Sequence, residues 1–341
     1  MIRKIYNHNN TFCTERGYTI NNLQVVYHTA GTLNSTCSNV IWICHPLTAS
    51  SDVNSWWQNS VGSGLLFDTN RYFVICVNTL GSAYGTTSAL SVNCCSGEPY
   101  YHSFPDITVR DTVSVNNIIR EHIGIKEIAL AVGCSIGGFQ TIEWSVTDPG
   151  LIKGMALIAS SYRATPWAIA INESQRMAIK ADRTWSENRT DAGRPGLKAA
   201  RSIALLSYRN YNTYNTTQDG FYDDDCLKPK ASSYQQYQGN KIVTRFNAFS
   251  YISMLNAFDS HNIGRGRGTT EEVLESITTD TLIIGIDSDI LFPVKEQHYM
   301  NNHIKGASIH IVESVFGHDG FLIEANKISP LITGHITKLN K

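Results

Sequence analysis

One serine between glycines constrains this chain more than any other feature. Gly133-Cys134-Ser135-Ile136-Gly137 follows a short apolar run, Ile128 to Val132, and precedes Phe139-Gln140-Thr141-Ile142-Glu143-Trp144. The pattern reads strand, tight turn, helix. A serine on such a turn sits in a strained backbone conformation, and side chains two residues before and two after would collide with it. Glycine at both places removes the clash and leaves the hydroxyl exposed above the sheet.

An activated serine needs a base, and the base needs an orienting carboxylate. Asp280-Thr281-Leu282-Ile283-Ile284-Gly285-Ile286 reads as a buried parallel strand and empties into Asp287-Ser288-Asp289-Ile290-Leu291-Phe292-Pro293. A second strand-like run, Ser308 to Val312, empties into Ser314-Val315-Phe316-Gly317-His318-Asp319-Gly320. A carboxylate and a histidine thus each lie just past the C-terminal end of a strand, where open α/β sheets carry their chemistry. The order serine, aspartate, histidine is that of the α/β-hydrolase fold. Asp287 and Asp289 compete for the orienting role, and either could instead cap the following helix.

The rest of the chain supports a parallel sheet. Val25 to His28, Asn39 to Cys44, Tyr72 to Val77, 127–132 and Gly154 to Ala159 read as strands; Thr108 to Ile123 reads as a helix closed by Gly124. Strands alternating with helices imply a mostly parallel central sheet with helices on both faces. The strand ending in Asn78-Thr79-Leu80-Gly81 is followed by a Gly/Ser/Thr/Asn-rich loop to about Pro105, too long for a mere connector and read as a candidate site loop. From Pro166 to about Thr278 no buried strand is evident. Thr165-Pro166 starts a helix, and apolar spacing continues through Ile169, Ile179, Leu197 to Tyr208 and Ala248 to Phe258. We therefore expect residues 1–165 and 279–341 to form the core and 166–278 a helical lid over the serine; a separate helical domain is the alternative. Asp219 to Asp225 reads as a solvated acidic loop rather than a metal site, and Gly264-Arg265-Gly266-Arg267-Gly268 as an exposed basic loop rather than a phosphate contact.

Composition narrows the function classes. The 341 residues carry a net charge of −1, so no electrostatic case exists for nucleic acid or an anionic membrane. The eight cysteines show no metal-ligand spacing, and Cys94-Cys95 are adjacent rather than a redox pair. No stretch approaches 18 apolar residues, and the N-terminus has no apolar leader. The expectation is a reduced, cytoplasmic protein with no metal.

Taken together, Cys44-His45-Pro46-Leu47-Thr48, Trp56-Trp57, Phe67 to Phe73 and Asn78-Thr79-Leu80-Gly81 resemble homoserine O-acetyltransferases of the α/β-hydrolase fold. So do Phe104 to Asp111, the serine turn, Asn172-Glu173-Ser174-Gln175-Arg176, Asp287 to Pro293 and Gly317 to Leu322. The resemblance implies Ser135 as nucleophile, Asp289 as triad acid and His318 as base. It implies the Leu47 and Ile136 amides as oxyanion donors. Arg201 and Tyr208 would bind the acceptor, joined by Asp319 for its ammonium group. Acetyl-CoA is the implied co-substrate with no permanently bound cofactor, L-homoserine the acceptor, and a homodimer the assembly. Succinyl-CoA as donor, L-serine as acceptor, a serine esterase or thioesterase, and a non-catalytic binding module remain the rival readings. This chain departs from the family pattern at Cys134, Pro46 and Ser88-Ala89.

Overall fold

The computed structural model describes residues 1–222 and 227–340. Its frame is an eight-stranded sheet built from the chain's short apolar runs. The strands are β1 (Ile2–His8), β2 (Leu23–Ala30), β3 (Val40–Cys44), β4 (Phe73–Val77), β5 (Ile128–Cys134), β6 (Ile152–Ile158), β7 (Asp280–Ile286) and β8 (Ser308–Val312). Their order across the sheet is β1-β2-β4-β3-β5-β6-β7-β8. β1 and β2 pair antiparallel, as do β2 and β4; every later pairing is parallel. All five residues of β3 are buried, as expected for a strand covered on both faces.

The helices form for local reasons. α1 (Val109–Ile123) starts with Thr108 and Asp111 in a reciprocal capping box and stops at Gly124 with φ 82°. α2 (Ile136–Thr147) follows the serine directly. α3 (Pro166–Lys180) has the expected Thr165 cap and proline in its first turn. α4 (Arg194–Tyr208), α5 (Tyr211–Gln218), α6 (Lys230–Ile242) and α7 (Ala248–Asp259) complete the insertion between β6 and β7. α8 (Thr270–Glu275), α9 (Val294–His303), α10 (Gly320–Ile323) and α11 (Ala325–Leu339) flank the last two strands.

Two apolar clusters sandwich the sheet and a third lies under the inserted helices. The third joins Ala168, Leu197, Tyr251 and Phe258 of the insertion to Leu47, Ile136, Phe139 and Phe292 beside the serine. After α7 the chain returns to the sheet: Ile263, Val273, Leu274 and Ile277 pack with Val113 and Ile283.

The basic loop is exposed from Arg265 to Gly268, as expected, but its arginines are paired. Arg265 pairs with Glu15 at 2.8 Å, and Arg267 and Arg110 both bind Glu143, whose side chain is fully buried. The arginines neutralise a carboxylate that could not be buried alone. The acidic loop falls partly on Asp223 to Asp225, outside the described residues, as does Cys226. Among the described residues no helix is long and apolar enough to cross a membrane, and no cluster of metal-binding side chains exists.

Candidate active site

Ser135 lies between β5 and α2 with φ 56° and ψ −125°, a conformation rare for a residue with a side chain. The glycines around it are required by backbone contacts rather than by the serine side chain. A Cβ on Gly133 would stand 2.3 Å from the Gly137 carbonyl oxygen, and one on Gly137 2.0 Å from that of Cys44. The turn therefore nests against the end of β3, from which the loop carrying Leu47 departs. The Ser135 amide donates to the Ile158 carbonyl at 2.9 Å, and the Ser160 hydroxyl donates to the Ser135 carbonyl at 2.7 Å.

The three expected triad side chains meet. His318 Nε2 is 3.0 Å from Ser135 Oγ, and His318 Nδ1 is 2.7 Å from Asp289 Oδ2. All three residues are buried. Asp289 Oδ1 also accepts the amides of Leu291 and Phe292, at 2.8 and 2.9 Å, which aims its other oxygen at the imidazole. Burial pulls the His318 pKa down, but the negative charges of Asp289 and Asp319 and the Asp289 hydrogen bond outweigh it and raise it above the ordinary 6.5.

The geometry separates the two competing aspartates. Asp287 is exposed and accepts the Ser314 amide at 2.9 Å. The neighbouring Ser288 hydroxyl donates to the Ser314 carbonyl at 2.5 Å and accepts the Gly317 amide at 3.1 Å. Asp287 and Ser288 thus stitch the aspartate loop to the histidine loop, while Asp289 orients the base.

Of the two expected oxyanion donors, Leu47 lines the same cavity as Ser135 and Ile136 follows the serine directly. Among the described residues neither the Leu47 nor the Ile136 amide donates to a carbonyl outside regular structure, and Ile136 opens α2, where amides have no helical acceptor. His45, whose role sequence reasoning did not assign, secures the Leu47 loop. The Thr79 amide can only donate, so His45 Nε2, 3.1 Å away, must accept; the ring proton is then on Nδ1 and donates to the Pro46 carbonyl at 2.9 Å. Burial holds the His45 pKa down at about 4, so the ring stays neutral. Pro46, a departure from the family pattern, leaves this arrangement intact because only its carbonyl is used.

Above the serine lies a cavity of about 580 Å³, lined by Leu47, Trp56, Tyr84, Arg201, Tyr208 and His318, among others. Arg201 sits over the Tyr208 ring at 5.3 Å and has no carboxylate partner among the described residues. Asp319 also lines the cavity, but it is already paired with Arg209, which the sequence analysis had not singled out. The long loop after β4 contributes one side chain to the cavity wall, Tyr84. Further along the same loop, the Thr86 and Thr87 hydroxyls accept amides of β2 at 3.0 and 2.8 Å, covering that strand instead. Tyr208 rests against buried Tyr251, whose hydroxyl donates to Gln175 at 2.6 Å.

The sheet order, the serine turn and the hydrogen-bonded triad define a serine-dependent α/β-hydrolase-fold enzyme. A family model described as alpha/beta hydrolase fold matches residues 39–325. The chain is 40% identical over 334 residues to the homoserine O-acetyltransferase of Cyclobacterium marinum, covering 97% of this chain and 94% of that one. It is 40% identical over 342 residues to that of Chlorobium chlorochromatii, covering 98% and 95%. The chain belongs to the homoserine O-acetyltransferase family. Two solved structures share the fold: a homoserine O-acetyltransferase from Bacillus anthracis (TM-score 0.91, 23% identity, 98% of this chain and 97% of that one) and esterase E22 (0.89, 23%, 98% and 99%). A transferase and an esterase superpose equally well, so the backbone alone does not separate the two reactions.

Proposed function

We propose that this enzyme moves an acetyl group from acetyl-CoA to the γ-hydroxyl of L-homoserine through an acetyl-serine intermediate. The observation that carries the reading is the unbroken hydrogen-bond chain from Asp289 through His318 to Ser135 at the base of a cavity containing an arginine without a carboxylate partner. Ser135 Oγ attacks the thioester carbonyl as His318 Nε2 takes its proton. The Leu47 and Ile136 amides hold the oxyanion, each such donor contributing about 3 kcal/mol to the transition state. Collapse breaks the C–S bond, and the departing CoA sulfur receives the proton from His318. His318 then deprotonates the homoserine hydroxyl, which attacks the acetyl-serine; Ser135 Oγ leaves and regains the proton.

The acceptor is a zwitterion and needs one cation and one anion. Arg201 grips its carboxylate, with the Tyr208 ring fixing the guanidinium plane. Asp319 receives the ammonium group through the carboxylate surface that Arg209 leaves open. The inserted helices keep water from the acyl-enzyme, which is what transfer rather than hydrolysis requires. The free thiols of Cys44 and Cys76, buried in the sheet, fit a reducing cytoplasm.

The test is a matrix of acetyl-CoA and succinyl-CoA against L-homoserine and L-serine, following thiol release and ester product. Release should depend on acetyl-CoA with homoserine. Thiol release that ignores the amino acid means a thioesterase, and preference for another donor or acceptor replaces the substrate named here.

A further inference from the structure

The cavity wall carries more positive charge than the acceptor uses. Arg201, Lys241 and Arg245 line it, and the anion among the lining residues, Asp319, is already paired with Arg209. In a chain with net charge −1 this is a local excess. Arg201 is committed to a carboxylate on the reading above, which leaves two cations without an assignment. Lys241 lies in the last turn of α6, and Arg245 follows four residues later in the turn that leaves the helix. Both side chains are exposed, and neither has a carboxylate partner among the described residues. Arg245 is nevertheless held in place: it donates to the Thr48 carbonyl and, at 2.6 Å, to the Tyr84 hydroxyl. It therefore stands fixed at the rim above the Leu47 loop with guanidinium N–H groups to spare.

We propose that Lys241 and Arg245 form a binding site for the phosphate groups of the acyl donor. This rests on the acyl-CoA reading of the same cavity. A CoA thioester carries a short acyl group on a neutral pantetheine arm and ends in a diphosphate and a ribose phosphate. The cavity takes the acyl end to Ser135; the charged end stays at the rim, where two cations four residues apart face it. Arginine and lysine supply complementary recognition, a planar fork held in position and a mobile point charge. An uncharged ester would have no use for either cation.

The experiment compares acetyl-CoA, acetyl-dephospho-CoA and acetyl-pantetheine as donors in the wild type and in Lys241→Glu and Arg245→Gln, with homoserine constant. Each substitution should raise KM for acetyl-CoA about five- to tenfold and leave kcat/KM for acetyl-pantetheine unchanged. The effect should shrink with added salt. If acetyl-dephospho-CoA behaves as acetyl-CoA does, the diphosphate is the bound group; if it behaves as acetyl-pantetheine does, the ribose phosphate is. Equal losses with acetyl-pantetheine would show that the residues act on the Leu47 loop through Thr48, and unchanged KM for every donor would show that they touch no phosphate. Either result overturns the site. Absence of any transfer from acetyl-CoA in the wild type would instead defeat the reading on which it rests.

Discussion

The strand ends of the core and the inserted helices hold their chemistry by different means. At the core, Ser135, Asp289 and His318 are buried, and Asp289 Oδ1 is fixed by two backbone amides while its other oxygen meets the imidazole. In the inserted segment, Arg201 is half-buried and rests on an aromatic face, and Lys241 and Arg245 are exposed. The contrast matches the tasks proposed for these residues. Groups that move protons must hold their distances to fractions of an ångström in a dry site, whereas groups that recognise charged substrates must meet ligands arriving from water. Substitutions in the core are expected to impair chemistry, and those in the inserted helices selectivity.

The sharpest way to break that division is Ser135→Ala, which should lower CoA release in the absence of acceptor by about six orders of magnitude. Release that persists would remove the serine from the reaction. Asp289→Asn should cost about 10⁴ in kcat, the scale for losing the orienting carboxylate, while Asp287→Asn should leave kcat within a few-fold. The same pair can be read against pH. His318 must be neutral to accept a proton, and its pKa is raised, so the acid limb of kcat/KM should lie above 6.5 in the wild type and move down in Asp289→Asn. A limb that stays in place would detach Asp289 from His318. Arg201→Ala should weaken homoserine use about 100-fold through loss of a charge-assisted contact, with CoA release in the first half-reaction spared. Loss of both half-reactions together would place Arg201 in the core's work.

The smallest effect concerns stability, at the seam of the two regions. His261 is buried against Phe139 of α2 with rings 4.3 Å apart, and burial lowers its pKa to about 4. The unfolded chain protonates this group near 6.5 and the folded chain does not, so stability is present above 6.5 and is lost as pH falls toward 4. About 3 kcal/mol is at stake for a shift of that size. His261→Phe should flatten the fall in melting temperature between pH 6.5 and 4.5; an unchanged slope would mean that His261 does not carry it.

Much of the site was legible because it is written in contiguous residues. The serine turn needs glycines two positions either side, the triad acid and base sit one loop beyond a recognisable strand, and the order along the chain selects the fold. Other parts were not legible. Strand ends alone did not separate Asp287 from Asp289, because the choice depends on which carboxylate turns inward. Resemblance to the family named Asp289; the hydrogen bonds show why. The long loop after β4 read as a site loop for its length and composition; it lends Tyr84 to the cavity wall, while Thr86 and Thr87 cover β2 and His102 bonds the Trp185 carbonyl of the insertion. The pairings of Arg265 with Glu15 and of Arg267 with buried Glu143 were not legible, because each partner lies far along the chain.

The amino-acid order by itself determined the parallel sheet, the bend at Ser135 and the helical insertion, since periodicity, capping and glycine spacing act within a few residues of one another. Tertiary structure alone decided the pairings that cross the chain: Arg209 with Asp319 over 110 residues, Arg267 with Glu143 over 124, Arg245 with Thr48 over 197. Local patterns carry no record of such partners, because a charge at the surface and a charge destined for burial look alike until the fold brings their counter-ions to them.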